Sequence, residues 1–352
     1  MLIPVTISLL LSIIFLNVGL AFNGQFLAAK NIDSAKTGLV LGVSEEYQAA
    51  GKIMVEQGDN FSQAIIKVIE DAKSLPLPRL PQFNMPMQKL PQSPVKEAAV
   101  KTVSFDLAAE NGAILDCQSH DLFFSKMPDR AWPIASITKL FTAYAFLDYN
   151  PGWEEFYKIK AEDKREGGKI YLFTGDKVKV KDLFYFSLVG SDNTATAALV
   201  SSTGLTEEEF VAKVNNKITS LGFKNTIIVD ATGLKDGNIS TAREIAQFAD
   251  MALGADEINR ASLTKKYEFT TEQGRKKVIF STNELLNIFP RKEVSLLGGK
   301  TGYINSSGYC LVSKFKGHDG RDIVTVVLGA DSETSRFGLT KELVDLYYNY
   351  KP

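Results

Sequence analysis

Residues 132–147 read WPIASITKLFTAYAFL, and the fold turns on how this run is taken. From Ile137 onward it is apolar on almost every side, which predicts a helix buried all round instead of a surface helix with one wet face. Ser136 stands at its first turn, and Lys139, three residues on, returns to the same face. A lysine in such a helix is costly to bury as an ammonium, so its pKa should fall. A neutral amine beside a serine hydroxyl is a workable base and nucleophile. The ordinary alternative is an N-cap serine followed by a lysine that snorkels to water. The apolar length around Ser136 argues against it.

Composition narrows the chemistry further. The chain has 352 residues, with 40 basic against 41 acidic side chains and a net charge of -1. Nucleic-acid binders usually carry a basic excess, so no nucleic-acid partner is expected. Two cysteines support neither a disulfide framework nor a multi-cysteine zinc site. With two histidines, His120 and His318, and no HExxH, no metal site is expected. A hydrolase built from this chain needs a base other than histidine.

Two further motifs complete a set: Ser191-Asp192-Asn193 and Lys300-Thr301-Gly302. Each motif is cheap alone, because SxxK also occurs at Ser93, Ser262 and Ser313, SxN at Ser281, and KTG at Lys36. Context separates them. Ser93 and Lys36 fall in a spacer, Ser313 on an alternating strand where i and i+3 face opposite sides, and Ser262 before a polar, Lys-rich stretch. Ser191 to Asn193 lie between FYFSLVG and TATAALV, so they read as a loop between two apolar helices. Lys300 to Gly302 follow two glycines and precede a strand pair turning at Asn305 to Gly308. A cationic side chain and a hydroxyl beside glycines can lie close to a substrate backbone.

Three regions are expected. Residues 1–22 form a signal peptide or N-terminal membrane anchor, because Leu2 to Phe22 carry no charge and are about long enough to span a bilayer core. Residues 23–96 read as a spacer, with one short amphipathic helix around Phe61, Ile65, Val68 and Ala72 and six prolines between Pro76 and Pro94. Residues 97–352 read as the catalytic domain. There TVSFDLAAENGAILDCQ suggests two strands turning at Asn111-Gly112. TEEEFVAKVNNKITSLG starts with a Thr206–Glu209 capping box, and a second capped helix runs from Ser240 to Gly254. Alternating strands over 308–317 and 321–330 precede a last helix carrying Leu339, Leu343, Leu346 and Tyr347. Strands at both ends with helices between predict an α+β fold: one antiparallel sheet flanked by helices, with an inserted helical lobe.

The SxxK, SxN and KTG set in this order resembles the serine penicillin-recognising enzymes. WPIASITKL, DATGLKDGNISTAREIA, STNELL, GGKTGYINSSGYCLV and VVLGADSETSRF resemble segments of one branch, the D-alanyl-D-alanine carboxypeptidases of the low-molecular-mass penicillin-binding proteins. The likeness covers about residues 100 to 350. It implies a β-lactamase/transpeptidase-like fold, no cofactor, an extracytoplasmic enzyme, stem peptides ending in D-Ala-D-Ala as substrate and β-lactams as inhibitors. It implies that Ser136 is the nucleophile, Lys139 its base and Ser191 a proton relay. Asn193, Lys300, Thr301, Gly302 and Tyr303 would bind substrate, with the backbone N–H groups of Ser136 and Tyr303 facing the oxyanion. Cys310, in GYCLV, suits a small buried structural thiol, unpaired with Cys117. The family commonly has Ser-Gly-Asn where this chain has Ser191-Asp192-Asn193, a triplet shared with class A β-lactamases. Those enzymes also need an ExxLN glutamate, and residues 194 to 240 contain none. D,D-endopeptidase action on cross-links, a β-lactamase and a catalytically silent cell-wall binding protein remain as alternatives.

Overall fold

The computed structural model describes residues 105–350 apart from 168, 169 and 292. The apolar terminus, the expected helix around Phe61 to Ala72, the proline-rich stretch, Lys36 and Ser93 all lie outside the described residues.

The chain opens with β1 (Asn111–Asp116) and β2 (Leu122–Lys126). A lobe comes next, built from β3 (Trp132–Pro133), α1 (Thr138–Phe146), β4 (Phe156–Lys158), β5 (Lys177–Lys179), α2 (Val180–Val189), α3 (Asn193–Ser202) and α4 (Glu207–Ser220). It continues through β6 (Ile239–Ser240), α5 (Ala242–Ala252), α6 (Asp256–Ser262), the hairpin of β7 (Lys266–Thr270) and β8 (Lys276–Phe280), and the single turn α7 (Leu285–Ile288). Then β9 (Val294–Ile304), β10 (Gly308–Gly317) and β11 (Asp322–Ala330) complete an antiparallel five-stranded sheet, ordered β2-β1-β11-β10-β9. Helix α8 (Glu333–Asn349) closes the fold. This is the α+β architecture expected from the sequence, one antiparallel sheet flanked by helices with an inserted helical lobe.

Strand periodicity divides the core in two. Val324, Val326 and Leu328 of β11, with Ala113, Leu115, Cys310 and Val312, face the lobe and pack with Ile245, Ala246 and Ala249 of α5. Ile323 and Val327, with Ile114, Leu311 and Phe315, face the other way and meet Phe337, Leu343, Val344 and Tyr347 of α8. Each large apolar side chain so buried contributes about 1.5–3 kcal/mol. Cys310 is wholly buried and, like Cys117, free.

Several sequence expectations need correcting. Asn111-Gly112 is not a hairpin turn; it opens β1. The Asn111 side chain is buried and donates to the carbonyls of Met127 and Arg130. At Gly112 the Leu107 side chain folds to within 2.2 Å of where a Cβ would lie, so a larger residue would have to displace it. The hairpin turns instead between Cys117 and Asp121, where the Asp116 carboxylate accepts from the backbone of Gln118 and Ser119. Helix α5 starts two residues later than expected, since Ile239 and Ser240 pair with Pro133 and Trp132 and Thr241 becomes the cap. Lys300 to Gly302 lie inside β9, not ahead of a strand pair, and β9 is an edge strand of the sheet. The Thr206–Glu209 capping box is present, as expected.

Candidate active site

Ser136 sits in one tight 3-10 turn, Ala135–Ile137, that feeds directly into α1. Ala135 adopts φ 46°, a left-handed conformation that costs a non-glycine residue about 1–2 kcal/mol. The turn is held by neighbours that leave no room for side chains. A Cβ on Gly233, itself at φ 85°, would lie 2.0 Å from the Ala135 carbonyl oxygen. One on Gly302 would lie 2.8 Å from the Ile134 carbonyl oxygen and 3.2 Å from the Ser136 nitrogen. Both glycines let backbone approach the serine, one from the loop after α4 and one from β9.

Lys139 is completely buried. Its Nζ donates to Ser136 Oγ at 2.9 Å, Asn193 Oδ1 at 2.7 Å and the Thr232 carbonyl at 2.6 Å. Burial drives its pKa down to about 7, against the pull of the Asp192 and Asp230 carboxylates toward the ammonium form. Asp230 organises the loop that supplies the carbonyl. Its Oδ1 accepts from the Thr232 hydroxyl and from the backbone of Thr232 and Gly233, and its Oδ2 from Lys235. Burial alone would raise this carboxyl, but those donors hold it below its ordinary range.

Ser191 occupies φ 57° in the short link between α2 and α3. Its Oγ accepts from Lys300 Nζ at 2.8 Å. Lys300 is itself buried, and burial first, then the nearby Lys139 and Arg336 charges, pushes its pKa well below the usual lysine value. Asp192 caps α3, accepting from Ala195 N at 2.6 Å. Burial raises its pKa to about 6, although the Ala195 N–H and the Lys139 charge oppose the shift. Asn193 begins α3 and bridges inward to Lys139 and outward to the carbonyls of Gly167 and Glu166, 3.2 and 3.5 Å away.

On β9, the Thr301 hydroxyl meets the Thr282 hydroxyl at 2.6 Å. The second SxN triplet therefore touches the site through Thr282, while Asn283 turns its Oδ1 to cap the backbone of Leu285. Tyr303 is 48 % exposed, and its ring stacks on Tyr309 at 4.4 Å between centroids. Behind β9, the buried Arg336 of α8 donates to the Gly302 carbonyl at 3.2 Å.

The fold thus forms two hydrogen-bonded sets, Ser136–Lys139–Asn193 and Ser191–Lys300, which the Ser191–Asn193 segment brings together, with Thr301, Gly302 and Tyr303 following Lys300 on β9. Ser262 and Ser313 lie elsewhere, on α6 and β10. Sequence reasoning missed the Thr232 carbonyl, the Asp230 loop that aims it, Thr282 and Arg336. DATGL, STNELL and SETSRF stand out in the sequence only as segments, because a backbone carbonyl and a buried guanidinium have no motif of their own.

A serine hydroxyl hydrogen-bonded to a buried amine, beside a second serine–lysine pair, is an arrangement able to support acyl transfer. Residues 96–332 match the family model described as D-alanyl-D-alanine carboxypeptidase. The chain belongs to that family. Members similar to it include a D-alanyl-D-alanine endopeptidase of Escherichia coli, 30% identical over 251 residues that make up 70% of this chain and 80% of the relative. A D-alanyl-D-alanine carboxypeptidase of Bacillus subtilis is 27% identical over 270 residues, 74% of this chain and 67% of the relative. The crystal structure of a Streptomyces DD-transpeptidase superposes with a TM-score of 0.65 at 23% identity, covering 71% of this chain and 100% of that one. That likeness bears on the fold. As a member of the D-alanyl-D-alanine carboxypeptidase family, the chain is a serine hydrolase of D-alanyl-D-alanine peptides.

Proposed function

We propose that Ser136 is the acylated nucleophile of a D-alanyl-D-alanine carboxypeptidase, with Lys139 as its base. One observation carries this reading: Lys139 Nζ is buried 2.9 Å from Ser136 Oγ. With its pKa near 7, a large share of that amine is neutral at ordinary pH. Lys139 takes the Ser136 proton as Oγ attacks the carbonyl carbon between the two terminal D-alanines. When the tetrahedral intermediate collapses, the C–N bond breaks and the departing nitrogen receives the proton taken up by Lys139, relayed through Ser191 Oγ. Lys300, bonded to that hydroxyl, eases its passing of the proton. Water then attacks the ester carbon and gives a proton to Lys139; as the bond to Ser136 Oγ breaks, Lys139 passes that proton to Oγ, which restores both groups.

The oxyanion lies between the N–H groups of Ser136 and Tyr303. Arg336 supports the second donor. A trans peptide unit points its C=O and N–H in opposite directions. Since Arg336 holds the Gly302 carbonyl from behind, the Tyr303 N–H is turned toward the serine side. The open edge of β9 receives the substrate backbone as an added strand. Lys300 and Thr301 hold the terminal carboxylate, and Asn193 holds the peptide preceding the scissile bond.

Residues 97–352 then act as the catalytic domain outside the cytoplasm, with residues 23–96 as spacer and 1–22 as export signal or membrane anchor. Among the described residues no helix is long and apolar enough to cross a membrane; the uncharged run from Leu2 to Phe22 is what supports the reading of attachment or export. The endopeptidase relatives favour a second reading, cleavage of cross-links, in which the leaving group is a longer D-centred amine. Mass analysis of products separates the two. D-alanine should be released from a pentapeptide, with a cross-linked dimer left intact; monomers from the dimer without D-alanine from the pentapeptide would replace the proposal by the second reading.

A further inference from the structure

The two ends of the Asn193 amide differ in chemistry but hardly in shape, so its orientation must be imposed from outside. Its Oδ1 faces the Lys139 amine, and its Nδ2 faces two carbonyls, those of Gly167 and Glu166. A flipped amide would aim NH₂ at the amine and oxygen at both carbonyls, losing every contact. The orientation therefore depends on where the loop around 162–167 is held.

Asp163, which accepts from the Ser201 and Tyr157 hydroxyls, fixes the start of that loop, and Arg165 tethers the part next to Asn193. Arg165 Nη2 donates to Glu207 Oε2 at 2.7 Å, and Nη1 to the carbonyls of Glu162 and Lys164 at 2.7 and 3.1 Å. The Arg165 backbone N–H adds a contact to Thr194 Oγ1, next to Asn193. Glu207 lies in the first turn of α4, where the helix dipole favours a carboxylate. Its other oxygen, Oε1, accepts from the Ala231 backbone N–H at 3.2 Å. Ala231 precedes Thr232, whose carbonyl is the third acceptor of the Lys139 amine. One ion pair therefore ties the loop that orients Asn193 to the loop that orients Lys139. Gly167 adopts φ 90°, a left-handed conformation in which a side chain would be strained.

The geometry points to Arg165 and Glu207 as positioning residues: a latch that sets the Asn193 side-chain amide and, through it, the hold on the acyl side of the substrate. This rests on the reading of Asn193 as the acyl-side anchor. Neither latch residue touches the reacting atoms. The carboxylate is needed for its two separate acceptors, and the guanidinium for its fork, which a lysine lacks.

The test is a double-mutant cycle in the full chain, with D-alanine release from a D-Ala-D-Ala peptide as readout and active sites counted by penicillin titration. Per active site, Arg165→Ala and Glu207→Ala should each raise KM about tenfold and change kcat far less. In an Asn193→Ala background neither should add more than about twofold. A purely structural role would lower the number of active sites and leave KM alone, and that result would overturn the latch. So would losses that multiply in the Asn193→Ala background. An Asn193→Ala enzyme with unaltered KM would remove the reading of Asn193, and the latch with it.

Discussion

Replacing Lys139 with methionine should slow acylation of Ser136 by benzylpenicillin on the order of a thousandfold, within the range of about 10²–10⁴ that a positioned general base supplies. That loss corresponds to about 4 kcal/mol of barrier. Methionine fills the same buried space, so the fold should persist. Asn193 Oδ1 and the Thr232 carbonyl lose a donor, while the cost of burying an amine disappears with it. The pH profile gives an independent check. Burial places the Lys139 pKa near 7, and the base is its neutral form. Wild-type acylation should therefore rise with pH through about 7 and level off above it, and the residual rate of Lys139→Met should lack that limb. A flat wild-type profile, or a variant that acylates normally, would take Lys139 out of the role.

Once a penicillin has acylated the enzyme, the penicilloyl adduct should last for minutes or longer, while a peptide acyl-enzyme turns over. Deacylation needs a water activated on the correct face of the ester, and residues 194 to 240 lack the ExxLN glutamate that does this in class A β-lactamases. Glu207 is held by Arg165 and the Ala231 N–H, Asp192 caps α3, and Glu166 is turned to solvent. Lys139 and Ser191 must then serve both half-reactions. For a peptide the leaving D-alanine diffuses away and admits water. A penicillin's leaving amine stays tethered and obstructs it. A missing base worth about 4 kcal/mol makes hydrolysis about a thousandfold slower. Tracking adduct decay by mass spectrometry checks this; rapid, repeated nitrocefin turnover without D-alanine release would make the protein a β-lactamase.

Much of this site was legible in the sequence, for reasons that can be traced. Ser136 and Lys139 stand out because the run after them has no polar face, which leaves a lysine there buried and close to its serine. Ser191 and Asn193 stand out because a polar triplet between two apolar helices must turn. Side-chain patterns of this kind survive in a linear reading. Contacts made by backbone do not: the Thr232 carbonyl, the Tyr303 N–H and the Gly167 carbonyl act whatever their side chains are. Nor could spacing show that Gly233 and Gly302 converge on one turn from opposite sides. Asn111-Gly112 misleads because the pair is common in hairpins, while here the asparagine is engaged by Met127 and Arg130 and the glycine by Leu107. The KTG triplet reads as the end of one strand ahead of a strand pair, whereas β9 runs through it to Ile304, and Gly302 is what lets that strand pass close to the serine.

The central claim is that one hydroxyl, that of Ser136, carries the acyl group. Labelling the full chain with a fluorescent penicillin, then mapping the adduct by peptide mass spectrometry, tests it most directly. The adduct should sit on the peptide containing Ser136, and Ser136→Ala should not label. An adduct on Ser191 or Ser262, or undiminished labelling of Ser136→Ala, would contradict it.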